Sequence, residues 1–204
     1  MVLTILGAYT LSRKNLYWGK MISMIVIIPM FFSGGLIPFY LLVKNLGMLD
    51  SLWALILPTA LSTYNMMIMR TALAGVPKAL EEAAEIDGAN PLVVLFRILI
   101  PLTIPTIAVL ILYYAVANWN SWFNAMLFLP KAKEKWPLQL VLRNLLIQNQ
   151  TDDLTSGVAA ADKFSVSETI KYATIIVSTL PILCLYPFLQ KYFLKGVMVG
   201  SVKG

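Results

Sequence analysis

The sequence predicts an all-α membrane protein, a polytopic transmembrane helical bundle with four full spans behind a partial first one. Two observations predict it. Of 204 residues, 59% are hydrophobic and 13% charged, whereas about 25% charged is usual for a soluble domain. The charges are also clustered, leaving four uncharged runs: 21–43, 51–69, 98–130 and 172–190. About 20 apolar residues rising 1.5 Å each cross a hydrocarbon core of about 30 Å, so each run is long enough to span.

In chain order, Met1 to Ser12 is uncharged but too short to cross, and it lacks the basic leading segment of a signal peptide. It reads as the tail of a helix whose upstream part lies outside this sequence. The first full span, 21–43, carries Ser33, Gly34 and Gly35 near its middle between Pro29 and Pro38. Small residues there predict close helix packing, the commoner arrangement, or a broken helix beside a pathway. The second span is 51–69. The run 98–130 is too long for one helix; Pro101 and Pro105 at its front and "NWNSWFN" at its back limit the span to roughly 102–117. The last span is 172–190.

The basic residues set the orientation. Arg13, Lys14, Lys20, Arg70, Lys78, Arg97, Lys191, Lys195 and Lys203 fall on one side of this topology, which makes that side cytoplasmic. The net charge of +6 is therefore a topology signal. A nucleic-acid surface would need a basic stripe with interleaved aromatics, and there is none. The chain has no His and a single cysteine, Cys184. Zinc catalysis, His-activated nucleophiles and a disulfide framework are thereby unsupported. No glycine-rich phosphate loop is present.

The segment opposite, 118–167, reads as an extracytoplasmic loop. Leu138, Val141, Leu142, Leu145 and Leu146 recur at helical spacing, predicting a short helix on the membrane surface. Ser165 and Glu168 have capping-box spacing ahead of the last span. A surface lid without chemistry is the favoured reading of the whole loop, because nothing in its pattern names a ligand.

The cytoplasmic segment 74–101 holds Glu81, Glu82, Glu85 and Asp87 within seven residues. Pro77 suits the start of a helix and the glutamates suit its positive end. Gly88 stops that helix in the left-handed region, and Asn90 with Pro91 starts another. The prediction is helix, sharp turn, helix, with Leu80, Ala83 and Ala84 on an apolar face and Glu81, Glu82 and Glu85 on an acidic flank. Asp87 in the last turn opposes the helix dipole by about 0.3–1 kcal/mol. It caps the second helix or meets a basic partner; a solvated charged loop is the bland alternative.

The pattern Glu82-Ala83-Ala84, Gly88, Ile98 and Pro101 resembles the EAA loop of permease subunits of binding-protein-dependent ABC importers, with Ile100 where leucine is usual. "EEAAEIDGA", "MFFSGGLIPFYLLVKNLG", "WALILP", "YAVANWNSWFNAMLFL" and "GVMVGSVKG" are similar to the maltose-permease-like, complex-saccharide branch. The resemblance implies an ABC importer permease fold in the plasma membrane of a bacterium. It also implies a second permease subunit, two ATP-binding subunits that hold ATP and Mg, and an extracytoplasmic sugar-binding protein. Its own chain would bind no cofactor or metal and would hydrolyse nothing. Residues 74–101 would be the coupling loop, with Glu82, Ala83, Ala84, Asp87 and Gly88 meeting an ATPase. The tail 191–204, a flexible strand without helical pattern, would touch the ATPases through Gly200, Lys203 and Gly204.

Sugars are bound by amides, hydroxyls and aromatic faces, which puts Tyr64, Asn65, Asn118, Trp119, Asn120, Trp122 and Asn124 forward for the substrate path. Interface anchoring of the aromatics and helix linking by the amides are the competing roles. Two other classes are consistent with a polytopic chain. A secondary transporter or channel normally places ionisable residues inside the membrane, and the four runs contain none. A non-transporting membrane scaffold is the third.

Overall fold

The computed structural model describes residues 1–13, 16–155 and 160–201, and side chains for 1–13, 16–148, 168–187 and 190. The described residues form helices joined by short connections, with no strand. By contacts the chain divides into two compact units: 1–36, 58–115 and 189–204 form the first, and 37–57 with 116–188 the second.

In the first unit, α1 (Val2–Ser12) packs along α5 (Thr63–Ala74). Gly7 permits the approach, because a Cβ there would lie 2.7 Å from the Met66 sulfur. Ala8, Tyr9 and Leu11 from α1 join Met66, Met69 and Leu73 from α5 in the core. Val94, Leu95 and Leu99 complete it from the segment that starts with α7 (Pro91–Val94) and continues as a π-helical turn (Leu95–Leu99). Proline chemistry explains that turn. Pro101 has no N–H for the carbonyl of Arg97, and the Ile100 N–H bonds back to Leu95 instead. After α8 (Ile100–Leu102) the chain bends by 84° into α9 (Ile104–Trp119). Buried Thr103 sits at the bend and donates its hydroxyl to the Leu99 carbonyl at 2.8 Å. The Tyr114 hydroxyl ties α9 to its neighbours, accepting from the Ser62 N–H at 2.9 Å and pairing with the Thr4 hydroxyl at 2.7 Å.

The second unit gathers α3 (Leu36–Asn45), most of α4 (Trp53–Thr59), α10 (Trp122–Phe128), α11 (Leu138–Thr155) and much of α12 (Ala160–Ser201). Phe128 is its anchor, fully buried, stacked on Tyr40 and edge-on to Phe39. Asp50 organises the connections. At φ +58 it accepts the N–H groups of Lys131 and Ala132 on one carboxylate oxygen, at 2.8 and 3.0 Å.

The helices are more broken than the four expected full spans. Among the described residues one helix, over Glu168–Pro187, is long and apolar enough to cross a bilayer. The number rises to three if Gly19–Phe31 with Leu36–Asn45, and Pro91–Leu102 with Ile104–Trp119, each count as one. The run 21–43 divides at 32–35 between α2 (Gly19–Phe31) and α3. Gly35 has φ +86, and a Cβ at Gly34 would meet nothing within 4 Å, so within this chain the glycines break a helix rather than pack one. The expected span 51–69 divides at 60–62, where Ser62 accepts from the Asn65 N–H and starts α5 afresh.

The outer segment is more helical than expected. On α11 the inward residues are Leu140 and Leu142, while Leu138, Val141 and Leu145 of the expected stripe stay exposed. Ser165 and Glu168 lie inside α12, which already starts at Ala160, five residues before the expected start. The tail departs too, being helical to Ser201 instead of a strand, with Gly200 inside α12. Lys203 and Gly204 lie outside the described residues.

Candidate coupling hairpin

The predicted helix, turn and helix all form. Pro77, at φ −58, precedes α6 (Lys78–Ile86), and Gly88 takes φ +79 at its end. Two reverse hydrogen bonds close that end: the Gly88 N–H to the Glu85 carbonyl at 3.0 Å and the Ala89 N–H to the Ala84 carbonyl at 2.9 Å. This is the Schellman arrangement, in which a left-handed residue lets the chain satisfy carbonyls the helix leaves open. Ala84 and Ala89, the two residues the longer bond joins, both pack against the first unit's core. Next, the Asn90 side chain accepts the Val93 N–H at 2.9 Å, and Pro91 occupies the first position of α7. Such a cap contributes about 1 kcal/mol. Asn90, not Asp87, caps the second helix; Asp87 is exposed at the end of α6.

The faces of α6 differ from the predicted ones. Glu81 and Ala84, one turn apart, share the inward face, and Glu81 is ion-paired with Arg13. Glu82 and Ala83 point outward with Leu80 and Ile86, the last 86% exposed. A cation waiting at the end of α1 explains the difference, since it turns one glutamate of the acidic flank inward. Two participants escaped sequence reasoning. Glu81 pairs with a residue 68 positions away, leaving no local signal, and Tyr9 donates to the Pro91 carbonyl at 2.9 Å from 82 positions away. Ile86 was legible as a large apolar residue at the end of a helix that carries three glutamates.

The outward surface therefore combines apolar Leu80, Ala83 and Ile86 with acidic Glu82 and Asp87. Neither of those acids has an ion pair among the described residues. A small rigid element exposing such a mixture fits a docking surface with a basic rim on its partner. Among the described residues no cluster of His, Cys, Asp and Glu suited to a metal is present.

The residues considered for the substrate path divide between the units. Tyr64 and Asn65 lie on α5 in the first, Tyr64 exposed and Asn65 buried. Asn118, Trp119, Asn120, Trp122 and Asn124 lie in the second, Asn118 and Asn120 exposed near the end of α9. Trp119 has a packing role, its indole N–H donating to the Ser178 carbonyl of α12 at 2.9 Å. Trp122 packs against Ala125, Leu129 and Leu140 and carries the Arg143 guanidinium 4.1 Å from its ring centre. The structure thus gives two of the aromatics anchoring contacts.

The second unit, α2 and the residue after it expose large apolar side chains, among them Phe31, Phe32, Ile37, Leu183 and Tyr186. Together with the helical architecture, this defines the class: an integral-membrane helical protein. Residues 2–199 match the family of binding-protein-dependent transport system inner membrane components, and the chain belongs to it. It is 44% identical over 209 residues to the polygalacturonan/rhamnogalacturonan transport system permease protein YtcP of Bacillus subtilis, covering all of this chain and 71% of that protein. It is 45% identical over 197 residues to protein LplC of the same organism, covering 97% of this chain and 66% of the relative. The arabinooligosaccharides transport system permease protein AraQ of B. subtilis is 28% identical over 98% of this chain and 64% of its own length. Among solved structures, a chain of a bacterial ABC transporter involved in import of the acidic polysaccharide alginate matches with a TM-score of 0.81. It is 32% identical, over 94% of this chain and 68% of that one. The chain is accordingly a permease of the sugar-importer kind, and its family places it in a bacterial membrane.

Proposed function

We propose that this chain, with a second permease subunit, forms the translocation path of an ATP-driven importer for oligosaccharides, and that its hairpin couples the path to two ATP-binding subunits. An extracytoplasmic sugar-binding protein delivers the substrate. ATP and Mg are held by the ATP-binding partners, and this chain carries no catalytic residue, metal or cofactor. The observation that carries the reading is the hairpin itself, with Glu82, Ala83 and Ile86 displayed on a helix held by a Schellman turn.

In this reading 74–101 is cytoplasmic, 118–167 faces the outside, and 191–204 is a cytoplasmic tail whose Gly200, Lys203 and Gly204 approach the ATPases. Glu82 meets a partner arginine, Ala83 and Ile86 enter its groove, and Asp87 supports them from the rim. Ala84 and Gly88 hold the shape. When the ATPases close, a rigid hairpin carries the motion into the bundle, giving alternating access. Tyr64, Asn65, Asn118, Asn120 and Asn124 supply polar contacts along the path, and Trp119 and Trp122 brace its wall.

Acidic oligosaccharides are the favoured substrates. The supporting facts are the names of two similar proteins, one a polygalacturonan/rhamnogalacturonan system and the other an importer of acidic alginate. The test is to purify the full-length permease with its partner subunits and measure ATP hydrolysis with oligogalacturonate, alginate oligomers or maltotriose plus the binding protein. Stimulation by an acidic oligomer is expected. Stimulation by maltotriose alone would reassign the sugar, and a permease that never copurifies with an ATPase would contradict the reading.

A further inference from the structure

The coupling helix is poorly anchored by its own residues. None of α6 is buried, and Ala84 is its contribution to the first unit's core. A nine-residue helix is marginal alone. Something must set its direction if it is to transmit force.

The end of α1 supplies it. The Arg13 guanidinium donates to the Glu81 carboxylate of α6, and it lies 4.2 Å from the centre of the Tyr9 ring. The hydroxyl at the far end of that ring donates to the carbonyl of Pro91, the first residue of α7. One side chain therefore holds the first limb of the hairpin and its stacked neighbour holds the second. Their base is firm, because Tyr9 and Leu11 are buried in the core with Met69 and Leu73 of α5. Glu81 and Arg13 are 14% and 29% exposed, and this is the ion pair recorded among the described residues. Removing one partner leaves a half-buried charge unpaired, which makes the contact directional.

We infer that Tyr9 and Arg13 are positioning residues that brace both limbs of the hairpin against the membrane bundle, and that adjacent Glu81 and Glu82 divide their work. Glu81 faces inward and holds the hairpin; Glu82 faces outward and meets the partner. The division rests on the coupling reading above, whereas the brace does not. Beside the pair, the ends of α1 and α5 and α6 enclose a cleft of about 260 Å³ lined by Arg13, Lys78 and Glu81, which exposed Glu82 and Glu85 also reach while staying open to solvent, so it can host a reversed pair.

The experiment uses the full-length permease in nanodiscs, alone and with its ATP-binding subunits, and no sugar. Arg13→Glu, Glu81→Arg and the double exchange are compared by amide hydrogen exchange and by affinity for the ATP-binding subunits. Each single reversal should speed exchange across α6 by about tenfold while α5 keeps its protection. It should also weaken ATPase binding. The double exchange should bring both readouts back to within about twofold of the parent, since the two sites couple only through each other. Tyr9→Phe should loosen α7 at its first turn and leave α6 protected. Parental exchange in the singles, or a double exchange no better than either single, overturns the brace. If the brace variants behave as expected but Glu82→Ala leaves ATPase affinity unchanged, the brace stands and the division between Glu81 and Glu82 fails with the coupling reading.

Discussion

Gly88→Val isolates the turn from everything around it. A Cβ at Gly88 would meet nothing within 4 Å, so crowding contributes nothing and the whole cost is conformational. The backbone stands at φ +79, where a β-branched residue is a genuine outlier. Holding it there costs about 1–3 kcal/mol. The hairpin has little to set against that, because α6 buries no residue and its end depends on the two reverse bonds from Gly88 and Ala89. A shift of about 1–3 kcal/mol is roughly 5- to 150-fold in the balance between closed and open turn. The core residues of α1 and α5 are untouched, so the protein should still reach the membrane at near parental level. It should lose its ATPase subunits on purification, or keep them with ATP hydrolysis no longer stimulated by sugar. Gly88→Ala should be milder, about 1 kcal/mol, because the penalty for alanine at positive φ is smaller. A Gly88→Val permease that copurifies with its ATPases and transports at the parental rate would refute the reasoning.

Substituting Asn118 and Asn120 by alanine should lower uptake with membrane levels near normal, since both are exposed near the end of α9; unchanged uptake kinetics would remove them from the path. Trp119→Phe should do the reverse. It deletes the donor to the Ser178 carbonyl and should cost about 1 kcal/mol of stability, read as a lower melting temperature with parental KM. Deletion from Gly196 onward should reduce ATP hydrolysis coupled to transport while the permease still assembles; normal transport by the shortened chain would make the tail dispensable.

The parts legible in the sequence are those whose chemistry is local. Gly88 needs only its own backbone to end α6, and Asn90 needs only the Val93 N–H three residues on to start α7. Pro101 and Pro105 likewise put the front of the span at about 102, next to the observed bend at Thr103, although they did not announce the π-helical turn before it. Uncharged length was a poorer guide. It cannot see that Ser62 restarts a helix inside 51–69, or that Gly35 breaks the one in 21–43 with an open space beside Gly34. Facing was the least legible property. Glu81, Glu82 and Glu85 are the same residue type on one short helix, and a guanidinium 68 positions away decides which of them turns inward. On α11 the spacing rule picked Leu142, which is buried, but missed Leu140, which is buried because Trp122, Ala125 and Leu129 of the second unit lie against it.

The central claim is that the outward face of α6 docks on an ATP-binding subunit, and a photo-reactive amino acid at Ala83 tests it most directly. Ala83 is exposed beside Glu82 and makes no contact with the core cluster, so the replacement should not disturb the hairpin. The full-length permease carrying it is irradiated in native membranes, and the adducts are identified by mass. The account predicts a cross-link to an ATP-binding subunit that Glu82→Ala weakens and Gly88→Val abolishes. Cross-links to lipid alone, or adducts unaffected by either substitution, would contradict it.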